Sequence, residues 1–286
     1  DERGALAVLR HGVKDRGVHI HLAYFRPAHT VAEDALVNYR KNRLSVTRQL
    51  RYSATTPHKS VDLALFVNGI PVATAELKSA ASRHPQTVED AKAQYRADRD
   101  PRELIFARRT LVHFAVDENL VFLATRLRAD KTVFLPFNQG SAGPGNAGGA
   151  GNPPVPAGGG PAYRTSYLWE QVWQPDAWLD LLKRFLHVKN PRSARAKGRG
   201  GNGPTSVHDL PLIFPRYHQW HAVRELTAHT ARYGSGHNYL VMHSAGSGKS
   251  NTIGWLAHRL STLHGSAEPG ALDPEAVASG RLETNQ

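Results

Sequence analysis

Asp62, Glu76 and Lys78 lie in the stretch VDLALFVNGIPVATAELK, residues 61–78. Asn68-Gly69 between two apolar runs is a strong hairpin-turn signal. Glu76 and Lys78 are two apart and therefore share a sheet face. Folding the hairpin at Asn68-Gly69 brings Asp62 opposite residues 75–77. Direct pairing with Glu76 requires the paired numbers to sum to 138, which takes an odd-length loop such as Asn68-Gly69-Ile70, or a β-bulge. In that register two carboxylates and a lysine converge. The carboxylates would hold Mg2+, with the Leu77 carbonyl as a third ligand, and the metal would polarise a phosphodiester and acidify bound water. Lys78 would position that water or offset transition-state charge. The competing reading is a hairpin whose charges are simply solvated.

A second constellation is Ser244-Ala-Gly246-Ser247-Gly248-Lys249-Ser250, between the apolar run 238–242 and a helical pattern from residue 249. Gly246 and Gly248 let backbone N–H groups converge on phosphate oxygens, and the helix N-terminus adds its positive end. Lys249 would reach the β/γ-phosphates of a nucleotide, and the Ser250 hydroxyl would ligate Mg2+. The consensus glycine five positions before Gly248 is replaced by His243. Phe214-Pro-Arg-Tyr-His-Gln219 ends 30 residues before Lys249. Gln219 there can read an adenine edge, and a capped helix start at Pro215 explains the segment equally well.

The elements that must position these groups follow from periodicity. Residues 18–25, 43–52, 61–67, 72–77, 110–115, 120–125 and 238–242 read as strands, and 87–96, 167–188, 217–232 and 249–263 as helical. Residues 139–162 hold 9 Gly and 5 Pro and read as a flexible loop. Residues 190–206 carry Arg192, Arg195, Lys197 and Arg199 with no acid, and read as a basic linker at a domain boundary. The expected division is a domain at 1–189 including the loop, the linker 190–206, the start of a nucleotide-binding domain at 207–264, and an irregular end at 265–286.

A net charge of +12 favours polyanionic partners, nucleic acid first. The chain has no cysteine, which excludes disulfides and Cys-rich zinc sites. No apolar run approaches the roughly 18 residues of a membrane span, so the expectation is a cytoplasmic protein with no membrane partner. His19 and His21 alternate on a strand without a third ligand in view. Trp169, Trp173 and Trp178 have helical spacing that favours core packing over base stacking.

The carboxylate hairpin has the arrangement of a PD-(D/E)xK nuclease. Together with TVEDAKAQYRADRDP, LVHFAVDENLVFLATRL, TSYLWEQVW, FPRYHQ and HSAGSGKSNTIGWLAHRL, it resembles the restriction (R) subunit of type I restriction-modification enzymes, in the same order over nearly the whole chain. The resemblance implies a mixed α/β restriction-endonuclease-like domain followed by the first part of a RecA-like, superfamily-2 translocase. The implied activity is Mg2+-dependent cleavage of double-stranded DNA coupled to ATP-driven translocation. The implied cofactors are Mg2+ and ATP, and the implied partners are DNA and the modification and specificity subunits. Asp62, Glu76 and Lys78 match the nuclease motif. Gln219 matches the adenine-reading motif, and Gly246, Ser247, Gly248, Lys249 and Ser250 the nucleotide loop. The family's Gln-x-x-x-Tyr helix is represented here by adjacent Gln94 and Tyr95, expected to contact DNA. Glu33 and Asp34 are candidates for an upstream acidic ligand. Two other readings compete: a DNA-stimulated ATPase or helicase subunit with a purely structural hairpin, and a non-enzymatic DNA-binding or assembly module. Only 36 residues follow Ser250, and their acids do not end an apolar strand. The expectation is weak ATP binding and no hydrolysis by this chain alone.

Overall fold

A computed structural model describes residues 4–27, 33–81, 83–140, 163–189 and 211–263. Most of the 139–162 loop, the 190–206 linker and the 265–286 end lie outside the described residues. Helix α1 (Gly4–His11) leads into a short ribbon of β1 (Val13–Asp15) and β2 (Val18–Ile20), then α2 (Glu33–Arg40). The centre is a six-stranded sheet of β3 (Leu44–Arg51), β4 (Ser60–Val67), β5 (Ile70–Leu77), β6 (Val112–Val116), β7 (Val121–Ala124) and β8 (Leu135–Pro136), in that spatial order. All neighbours are antiparallel except β5 and β6. Their parallel pairing requires a crossover, supplied by α3 (Val88–Ala97) and a π-helical turn at Ile105–Arg109. The protein is thus mixed α/β around a mixed sheet.

β5 is buried from Val72 through Glu76. Such a run suits a central strand covered on both faces. One face meets α3 through Val88, Ala91 and Tyr95. The opposite face joins the main core, with Phe114, Phe137, Trp178, Leu181 and Phe185. The α3 N-terminus is fixed by its sequence. The Thr87 side chain accepts from Glu89 N, and the Asp90 carboxylate accepts from Thr87 N at 2.7 Å, a reciprocal capping box.

The helical stretch expected at 167–188 is several pieces: a π-helical turn at Leu168–Val172, α4 (Pro175–Asp180), a second π-helical turn at Leu181–Phe185, and β9 (His187–Val188). Pro175 opens α4 at its first turn, where its missing N–H costs nothing. β9 pairs antiparallel with β10 (Leu212–Ile213), so the two flanks of residues 190–210 are clipped together. Helices α5 (Tyr217–Tyr233) and α6 (Lys249–Ser261) follow. Residues 238–242 form no strand. No strand lies alongside them among the described residues, and Leu240 is 83 % exposed. A strand without a partner leaves its backbone groups unpaired and is not stable alone.

Candidate functional site

The hairpin turn is tight. Asn68 and Gly69 have φ of 51° and 81°, the left-handed pair of a two-residue turn. Asn68 is held by its side chain, which accepts from Arg43 N at 2.7 Å and donates to Leu22 O at 2.9 Å. A two-residue loop alone gives pairs summing to 137, as in Val67↔Ile70 and Phe66↔Pro71. The register then slips by one at Val72, and the ladder continues as Leu65↔Ala73, Ala64↔Thr74 and Leu63↔Ala75. The bulge, not an odd loop, therefore brings Asp62 into register with Glu76. One unpaired residue turns the carboxylates toward the same face.

The two acids are held differently. Asp62 is half-buried; its Oδ2 accepts from Leu77 N at 2.8 Å and its Oδ1 from Gln49 Nε2 at 2.9 Å. Gln49 has φ of 50° on β3, a conformation uncommon for a side-chain-bearing residue, and its Oε1 accepts from Ser60 Oγ at 2.8 Å. Glu76 is fully buried, and its Oε1 accepts from Arg99 Nε at 2.7 Å. Its Oε2 is buried with no hydrogen-bond partner. Burial pushes the Glu76 carboxyl up to about 7; the Arg99 guanidinium pulls it down, and nearby Asp62 pushes it up further. Lys78 is half-buried just past the end of β5, with its N–H bonded to Val116 O at 2.9 Å.

Sequence reasoning missed both Gln49 and Arg99. A Gln at an exposed edge-strand position and an Arg in a charged run, Arg-Ala-Asp-Arg-Asp, carry no local signature of a carboxylate partner. Tyr95 departs from expectation. It is fully buried, with its hydroxyl 2.9 Å from Thr74 Oγ1, and Thr74 in turn lies 2.8 Å from His113 Nδ1. This side chain packs α3 on the sheet and presents no surface to DNA, which corrects the DNA-contact reading for it. Gln94 beside it is half-buried. Glu33 and Asp34 open α2, which buries no residue, and neither has a contact with Asp62 or Glu76 among the described residues.

Around the glycine-rich loop, Gly246 and Gly248 have φ of 74° and 85°. The left-handed backbone angle favours glycine at Gly248, and a Cβ there would lie 2.6 Å from Gln219 Nε2, displacing that amide. Gln219 Nε2 donates to Gly248 O at 2.9 Å and Ser247 O at 3.2 Å, and its Oε1 accepts from Arg216 N at 2.8 Å. Gln219 thus fastens the start of α5 to the loop. Lys249 Nζ donates to His243 O at 2.8 Å and Ser244 O at 3.0 Å. Lys249 and Ser250 are exposed, whereas Ser247 is buried.

A mixed sheet with a carboxylate pair set in register by a bulge defines an α/β domain built around a candidate cation site. Residues 29–131, which span the sheet from β3 through β7 and include α3, match the family described as type I restriction enzyme R protein N terminus. That stretch is accordingly similar to the N-terminal region of type I restriction enzyme R proteins. No curated protein matches the chain.

Proposed function

We propose that the hairpin is the Mg2+-dependent endonuclease site of a type I restriction enzyme R subunit, of PD-(D/E)xK type. Asp62, Glu76 and the Leu77 carbonyl would be metal ligands, and Lys78 would be the catalytic lysine. The observation that carries this reading is the slip at Val72, which aligns Asp62 with Glu76 inside the family-matched stretch.

The residues fit the cation. Carboxylate and carbonyl oxygens are the hard ligands Mg2+ takes, and the buried Glu76 Oε2, which accepts no hydrogen bond, would be open as a ligand oxygen. Among the described residues no cluster of three or more acidic, His or Cys side chains could hold a metal. A two-carboxylate site agrees with Mg2+, which keeps several waters and relies on substrate phosphate. Bound there, Mg2+ would polarise the phosphodiester and acidify a water. Leu77 N and Gln49 fix the Asp62 carboxylate. Lys78 brings a positive charge to the same sheet face, where it offsets charge on the phosphate as the scissile bond breaks.

The loop at residues 244–250 is read as the phosphate-binding element for ATP of a RecA-like motor, with Gly246, Ser247, Gly248, Lys249 and Ser250 at the phosphates and Mg2+. Gln219 serves adenine recognition in this reading. Its amide N–H groups bond the loop backbone here, so reading an adenine edge would take exchanging one of those bonds for the base. Double-stranded DNA and the modification and specificity subunits are the partners, and the excess of basic residues suits the first. No helix among the described residues is long and apolar enough to cross a membrane; the cytoplasm is the proposed location.

The test uses the R subunit assembled with its modification and specificity subunits. Asp62→Asn and Glu76→Gln should each lower DNA cleavage by at least roughly 100-fold, the scale of losing a charge-stabilising catalytic group, while DNA-dependent ATP hydrolysis persists. Unchanged cleavage in both would contradict the assignment and favour a structural hairpin.

A further inference from the structure

Of the four carboxylate oxygens of Asp62 and Glu76, both on Asp62 and one on Glu76 accept hydrogen bonds. The fourth, Glu76 Oε2, is buried and accepts no hydrogen bond, and the Asp62 carboxylate lies within hydrogen-bonding reach of the Glu76 carboxyl. The Glu76 oxygen that does accept is held by Arg99. Its side chain is 6 % exposed and that of Glu76 is fully buried, so neither is free to swing into solvent. Arg99 follows α3 at the chain reversal, where Asp98 N closes on Gln94 O at 2.9 Å and Asp98 O accepts from Lys59 Nζ at 2.9 Å. The Tyr52 ring lies 5.8 Å from the guanidinium. The arginine is thus anchored by the helix end, the β3–β4 connection and an aromatic face before it reaches the carboxylate.

We propose that Arg99 is a positioning residue of the cation site: it grips Glu76 Oε1 so that Oε2 stays turned toward Asp62 as the open ligand. This rests on the reading of Asp62 and Glu76 as a cation site. A buried ion pair is on its own weak evidence for stability, because desolvation offsets its attraction. A ligating carboxylate, by contrast, needs a fixed orientation, and removing the group that orients it typically costs roughly 10–100-fold in metal affinity. Arg99 donates from Nε, whose direction is rigid relative to the guanidinium plane, and lysine reproduces the charge without that geometry.

The test measures Mn2+ affinity of the full chain by electron paramagnetic resonance of the free ion, with no turnover involved. Arg99→Gln should weaken binding roughly 10–100-fold, and Arg99→Lys should recover part of the loss. Arg259→Gln removes the 2.8 Å contact to Asp180 away from the site and should leave the affinity unchanged. It controls for the loss of a part-buried arginine–carboxylate pair as such. Affinity equal to or tighter than wild type in Arg99→Gln overturns the proposal. So does an equal loss in Arg259→Gln. Glu76→Gln separates the two levels: if it binds Mn2+ like wild type, the cation site itself is wrong. If it loses binding while Arg99→Gln does not, only the role of Arg99 is wrong. A wild-type measurement decides should Arg99→Gln not fold. The Arg99 Nε–Hε NMR signal should shift yet remain protected from solvent at saturating Mg2+. Its loss to exchange, or no shift at all, overturns the proposal.

Discussion

Val72 shows how much a single residue can decide. Without its unpaired position, the Asn68-Gly69 turn would set Asp62 one residue away from Glu76, on the opposite face. The need for the sum of 138 was legible from residue numbers alone; the device meeting it was not, because a longer loop and a bulge satisfy the same arithmetic. Arg99 and Gln49 were illegible for another reason. Their partners lie 23 and 13 residues away, and only the folded sheet brings them together. His113 is a residue whose environment makes a solution prediction. It is fully buried, and burial lowers its pKa to about 3. A depressed folded pKa means the unfolded chain takes up a proton near pH 6.5 that the native state refuses. This contribution to stability is present above pH 6.5 and is lost as pH falls toward 3. At pH 5 the loss is about 2 kcal/mol relative to neutral pH. Urea unfolding at pH 7 and pH 5 should show a smaller drop for His113→Gln than for wild type. An identical drop would place the proton uptake elsewhere.

At the scale of elements, apolar period and turn chemistry were good guides where one helix or hairpin stands alone. β4, β5, α3 and α6 fall close to their expected bounds. They misled at 167–188, because π-helical turns keep nearly the same apolar spacing as an α-helix and differ in the backbone bonds, such as Trp173 N to Leu168 O and Leu186 N to Leu181 O. At 238–242 the apolar alternation specifies a strand's side chains but not its partner. Helix α3 matters most to the site, since its C-terminal end launches Arg99. Thr87 caps its start from an exposed position, so Thr87→Ala should cost about 1 kcal/mol in chemical denaturation without disturbing the core. A change below a few tenths of a kcal/mol would show that the box contributes little to holding α3.

Across the whole molecule, one core runs past the basic linker. Phe214, Tyr217, Trp220, Val223 and Trp255 belong to the same buried cluster as Phe114, Phe137 and Trp178. Trp255 Nε1 donates to Phe185 O at 2.9 Å, and Arg259 and Arg184 share Asp180 Oδ1. The helix that begins at Lys249 is therefore seated on α4 and the turn after it, so this helix and the sheet carrying Asp62 and Glu76 share one buried core. None of this cross-linker packing was visible in composition, which marked residues 190–206 as a boundary. The motifs were legible because their spacing is local; their mutual support is tertiary. The proposed chemistry requires the two carboxylates to act as one cation site. The direct measurement is anomalous X-ray scattering from a crystal of the full chain soaked in Mn2+. A peak is expected within bonding distance of both Asp62 and Glu76. A Mn2+ peak elsewhere, with none at this pair, would contradict it.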